Sequence, residues 1–233
     1  MECVKSCPKD NVAWNLRPPA SDLFEPTKAR TDEAYLAVIL LSMSACHGLT
    51  MTPAWDRLVA ALEAALGIST LAAFSLGMAG MLALPLSIYA ALCRLMKWMA
   101  RDRVHGTKEI FIRFSYSLLP IALFYHLAHN LQHIFFEGKK LVRAASDPFG
   151  WNWDLFGTAH MPIDVLLPVR VGWSIQVMLI LVGHIYAIGI AHRAAVALYE
   201  DRRTATVSQV PMLLGMLLFS FQSLWLLSQP MMM

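Results

Sequence analysis

The sequence is short of charge. Lys, Arg, Asp and Glu make up 15% of its 233 residues, against about 25% in an ordinary soluble domain. The shortage is concentrated in long stretches with almost no charged side chain, which excludes a conventional water-soluble fold. Cysteine is scarce as well. The four cysteines are scattered, which excludes a disulfide scaffold. No short basic region leads into an apolar run at the N-terminus, so no signal peptide is expected. Also missing are a nucleophile elbow, a phosphate-binding glycine loop and a paired-carboxylate site. The net charge of +3 gives no reason to expect nucleic acid as a partner.

Hydrophobic residues account for 57% of the chain. About 20 apolar residues at 1.5 Å rise cross a hydrocarbon core of roughly 30 Å. On that measure the expected spans are about 34–51, 69–96, 111–136, 171–198 and 208–228. Residues 53–66 are amphipathic, with Pro53 in the first turn and Asp56 and Glu63 on a polar side, and are expected to lie in the interface. The expected fold is therefore an all-α membrane protein, a bundle of about five transmembrane helices with one interfacial amphipathic helix and the lipid bilayer as its solvent. Residues 1–33, polar and proline-containing, form an extended segment ahead of a transmembrane domain at 34–229.

Lysine and arginine set the expected orientation. Lys5, Lys9, Arg17, Lys28 and Arg30 precede the first span, and Arg57 alone follows it. Arg94, Lys97, Arg101, Arg103, Lys108 and Arg113 cluster between the second and third spans. The third connection carries Lys139, Lys140, Arg143 and Arg170, which strain the rule, although its length dilutes their signal; Arg193, Arg202 and Arg203 lie between the fourth and fifth spans, and the tail has none. This alternation places the protein in a bacterial inner membrane, with the N-terminus cytoplasmic and the C-terminus periplasmic. The long third connection, with Trp151, Trp153 and Trp173, reads as an aromatic belt at the outer face.

Cys3 and Cys7 lie in ECVKSCP, a C-x3-C-P pattern. It matches the last two cysteines and the proline of the bacterial ferredoxin run C-x2-C-x2-C-x3-C-P, in which thiolates serve as soft ligands to iron. In that register the preceding cysteine would fall immediately before Met1, so an internal start codon or a fragment of a longer protein is expected. Two thiolates alone cannot hold a four-iron cluster. Leu16–Pro18 (LRP) follows closely. Cys3, Cys7, Pro8 and this basic, proline-containing linker before apolar spans resemble the membrane-bound polyferredoxin family. That family includes the membrane ferredoxins of periplasmic nitrate reductase systems and the regulators of nitrous-oxide reductase. The resemblance implies a 4Fe-4S cluster, if the chain is part of a longer protein, and a soluble or membrane redox partner. It is specific over the first twenty residues only, and the many intramembrane histidines depart from it.

The third span reads FIRFSYSLLPIALFYHLAHNLQHIFFEGKK, with His126, His129 and His133 and, one turn beyond, Glu137. At about 100° per residue, His126, His133 and Glu137 fall within roughly 40° of one another, with His129 about 60° to one side. Ionisable groups inside a membrane helix are costly and mark functional pathways. His47 lies in the first span, and His184 follows Gly183 in the fourth, where a glycine lets a planar group approach the backbone. Three chemistries use such a set. Haem b needs an axial imidazole from each of two facing helices, with His126 and His184, or His47 and either His129 or His133, as candidate pairs. A metal site would use His129, His133 and Glu137. Proton or quinone handling would use imidazoles that titrate near neutral pH.

The expected function is a membrane electron-transfer protein, a subunit of an oxidoreductase complex linking an iron–sulfur module to haem b or quinone. The alternatives are a metal-ion or proton transporter or chaperone with an intramembrane His/Glu site, and an assembly or anchoring subunit without redox chemistry.

Overall fold

The structure, a computed structural model, describes residues 29–229 together with Pro8, Leu16, Pro18 and Ser21–Phe24. Cys3 and Cys7 lie outside the described residues. In hydrocarbon every backbone N–H and C=O needs an internal partner, a condition that single helices meet within themselves. The described chain is accordingly all-α, with five stretches long and apolar enough to cross a membrane. Its helices are α1 (Thr31–Thr50), α2 (Pro53–Leu66), α3 (Thr70–Met99), α4 (Thr107–Ser115), α5 (Leu118–Ser146), α6 (Val169–Leu198) and α7 (Arg202–Ser228).

The helix ends follow from local chemistry. Pro53 occupies the first turn of α2, where its missing N–H costs nothing, and Gly67 ends that helix at φ 63°. The Asp201 carboxylate caps α7 by accepting the Thr204 N–H at 2.9 Å. The third span differs from its expected 111–136. It enters as α4, breaks at Tyr116–Ser117 and resumes as α5. Pro120 lies in the first turn of α5; it offers no N–H, and its ring crowds the carbonyl four residues back, at Tyr116. Beyond 136 the segment EGKKLVRAAS stays helical to Ser146, because helix-favouring residues dominate it and the next proline is Pro148.

The spans close into a ring in the order α1, α3, α7, α6, α5 and back to α1. One end of the bundle holds the start of α1 and the α3–α4 and α6–α7 turns; this is the first end. The second end holds α2, the α5–α6 loop and the end of α7. At the first end Ala187, Ala191 and Ala195 form a stripe of small buried residues on α6, in one core with Phe114, Ile110 and Met96. Asp102 clasps the turns there. It accepts from the Tyr199 hydroxyl and from His105 Nδ1, both at 3.0 Å, and from the Val104 and His105 amides. Burial pushes this carboxyl up, but those donors outweigh burial and hold it below the ordinary range. His105 thus helps join the ends of α3 and α6.

At the second end, α2 lays Trp55 and Val59 on α3 beside Ala73. Gly77 makes room for the Trp55 indole, whereas Gly80 faces open space. The α5–α6 loop is built on Asp154, which accepts from Ser146 Oγ and the Ala159 amide at 2.9 Å each, and on Asp147, which accepts from the amides of Trp151 and Asn152. Phe149, Trp151 and Trp153 pack together on its surface, with centroids 5.0 to 5.7 Å apart. Lys139 binds Asp164 and holds its carboxyl below the usual carboxylate range.

The tightest part of the α5–α6 seam is Gly183. A methyl there would lie 2.7 Å from Phe124 Cβ and 3.0 Å from the Pro120 carbonyl oxygen. Gly183→Ala is expected to cost about 1–3 kcal/mol, the range for overpacking. Gly80→Ala, with open space around it, is expected to stay within about 0.5 kcal/mol. Melting of both variants in detergent checks the pair.

Candidate functional site

Toward the second end α5 carries one residue per turn along a winding line, Tyr125, His129, His133 and Glu137, of which Tyr125 and His129 meet α1. Steps of four along a helix advance about 6 Å and turn by about 40°, so the four side chains stack as a slowly winding column. Gly48 is what lets α1 come close. The Tyr125 hydroxyl sits where a side chain on Gly48 would stand. The neighbouring His47 then lays its imidazole edge-on against His129, with centroids 4.9 Å apart and planes at 82°. His129 in turn meets His133 at 5.4 Å and 81°, and Tyr125 stacks over His129 at 6.2 Å and 14°.

His129 is the centre of this group, 1% exposed, and neither of its ring nitrogens has a hydrogen-bond partner. A buried polar atom left unmatched costs about 1–3 kcal/mol, so the position selects for something that exchanges hydrogen bonds with imidazole. His133 Nδ1 lies 3.5 Å from Glu137 Oε2, and Glu137 Oε1 accepts from Lys140 at 3.0 Å. The column therefore runs from a partly exposed ion pair to a buried imidazole. Gln176 of α6 braces α5 from behind, donating to the Ala128 carbonyl at 3.0 Å and to Gln132 Oε1 at 3.1 Å.

The remaining candidates stand apart. His126 is exposed, a flank position on the same helix, and its carbonyl accepts from Asn130 Nδ2 at 2.8 Å. His184 is 8% exposed on α6; its Nδ1–H donates to the Ile180 carbonyl at 2.8 Å, and its Nε2 is buried without a partner. The space beside Gly183, expected to admit a planar cofactor, is filled by Phe124. His192 has Gln209 Oε1 as a partner at 3.3 Å.

Two cofactor geometries can be tested on these positions. Two axial imidazoles on opposite sides of one iron need ring centres roughly 6 Å apart, since each metal–nitrogen bond is about 2 Å. His47 and His129 are closer than that and touch edge to face, which leaves no slot for a macrocycle between them. His129, His133 and Glu137 form a line rather than a cage, because eight residues of helix separate the first from the last by about 12 Å. Among the described residues no three His, Cys, Asp or Glu side chains converge on a metal-sized point.

Sequence spacing picked out the histidines but passed over Tyr125, Gly48 and Gln176. The signals were present: a tyrosine one turn before His129, a glycine directly after His47, and an isolated glutamine in an apolar span. Gly48→Ala is expected to destabilise the protein by about 1–3 kcal/mol by driving a methyl into the Tyr125 hydroxyl. Tyr125→Phe removes a buried hydroxyl that has no partner and is expected to be neutral or stabilising. The double variant is expected to recover part of the Gly48→Ala loss, a coupling that a double-mutant cycle on detergent melting curves measures. Set against known proteins, the chain matches no family model, no curated sequence and no solved structure.

Proposed function

We propose that the chain is a membrane subunit that conducts protons across the bilayer, with the column Glu137, His133, His129 and His47 forming the half of the route nearer the second end. The observation that carries this is His129, buried with both ring nitrogens unmatched and an imidazole in edge contact on either side. A neutral imidazole is a donor at one nitrogen and an acceptor at the other, so it takes a proton on one side and releases one on the other by exchanging tautomers. Glu137, partly exposed beside Lys140, is placed to load the column from water. A line of imidazoles suits a proton, which needs one partner at a time, better than a metal ion, which needs several at once. In this proposal the membrane is the bacterial inner membrane, with the N-terminus cytoplasmic and Glu137 on the periplasmic side, as the lysine and arginine distribution supports.

A second reading, electron transfer between an iron–sulfur module and haem b or quinone, is favoured by one feature of the site. His184 is buried and donates Nδ1–H to the Ile180 carbonyl, the kind of contact that orients a ligating imidazole. In this reading Cys3 and Cys7 would supply thiolates toward an iron–sulfur cluster, and haem at His184 would supply one-electron chemistry.

Reconstitution into liposomes with a trapped pH dye tests the first proposal. Wild-type protein is expected to conduct protons under an imposed potential, and His129→Leu to lower the rate by about 10²-fold, the scale of a lost proton-transfer group. Wild-type flux no greater than in empty liposomes, or undiminished flux in the variant, overturns it. The second reading predicts a Soret band that shifts on reduction and vanishes in His184→Leu. A spectrum without that band removes haem.

A further inference from the structure

A cavity of about 210 Å³ lies in the ring between α3 and α7, bounded by α1 and α5. That is the room of roughly seven water molecules at about 30 Å³ each, well beyond the voids of a close-packed interior. Its floor is buried and includes Tyr89, Met212 and Ile121. Its rim reaches Ile88 on α3 and Leu218 on α7, both exposed, and both lie midway along their helices. The opening therefore faces sideways, at the depth of the lipid chains.

Among the described residues the lining has no charged side chain, so an anionic or cationic headgroup would be buried there without compensation. Two polar features remain. Tyr89 already donates its hydroxyl to the Phe111 carbonyl at 2.7 Å. Gln222 carries an amide with both a donor and an acceptor. Backbone polarity is added by Pro85, which has no N–H for the carbonyl four residues back, at Met81. Since α3 and α7 run in opposite directions, Met81 and Gln222 both lie at the second-end side of the cavity, and the remainder is apolar. The cavity is thus polarised, with a hydrogen-bonding end and an oily end.

We propose that this crevice binds a neutral, lipid-soluble ring compound of the quinone class, which enters from the bilayer between α3 and α7. A quinone carbonyl accepts from the Gln222 amide, a quinol hydroxyl donates to the Met81 carbonyl, and the tail follows Ile88 toward the lipid. A plain hydrocarbon chain would bury that polar pair without answering it. The site is independent of the histidine column and stands or falls separately from it.

The test uses the purified full chain in phosphatidylcholine nanodiscs and a photoreactive azidoquinone, with labelled peptides mapped by mass spectrometry. Labelling is expected on α3 and α7, to be displaced by a decyl-substituted benzoquinone and to resist dodecane. Ile88→Trp, which blocks the exposed rim, is expected to abolish it. Gln222→Leu is expected to weaken displacement about tenfold, the effect of one lost hydrogen bond. Unchanged melting of both variants shows that they are folded; Leu218→Trp at the opposite rim replaces Ile88→Trp if that protein fails to fold. Labelling absent from α3 and α7, equal displacement by dodecane, or labelling indifferent to the rim and Gln222 substitutions overturns the proposal.

Discussion

The arrangement depends on how closely α5 approaches α1 on one side and α6 on the other. Lipid tails are as apolar as the side chains they would replace, so membrane helices gain little from burying leucine and associate through close packing and hydrogen bonds instead. Gly48 and Gly183 supply the packing, one opposite the Tyr125 hydroxyl and the other opposite Phe124 and the Pro120 carbonyl. Gln176 adds the hydrogen bonds. Everything proposed for the histidine column requires α5 to be held in this register, since a shift of one residue turns the helix by about 100° and carries His129 out of contact with His47.

Polar groups in this bundle are treated differently at its two ends. At the first end they are matched: Asp102 satisfies two amides, a hydroxyl and an imidazole within one turn and ties α3 to α6. Around the column they are not. His129 and the Tyr125 hydroxyl are buried without partners. The lateral cavity belongs to the same economy of placement, a neutral and mostly oily recess with its polarity gathered at one side.

Much of the fold was legible in the sequence because a bilayer imposes a simple length rule. Runs of apolar residues located every span, and Pro53 with Gly67 bounded the amphipathic helix. The third span was legible only in part. Pro120 announced a disturbance, but whether it would kink one helix or divide two depended on how Tyr116 and Ser117 were held, and the continuation to Ser146 lay in residues too polar for a hydropathy window. Gly77 and Gly80 look alike in the sequence, yet one receives Trp55 and the other faces open space, because α2 reaches only the first.

The sequence by itself determined that the described chain is a helical membrane bundle, and that His129, His133 and Glu137 follow one another along a helix, since hydropathy and a 3.6-residue period are local properties. Which histidines meet across helices was decided by tertiary structure alone. His47 rather than His184 lies against His129, because the glycine beside His47 admits Tyr125 and brings α1 in, whereas the glycine beside His184 receives Phe124 and leaves that imidazole in a place of its own. Such pairings rest on crossing points and rotations of whole helices, and these are set by a few small residues whose partners lie many residues away in the chain.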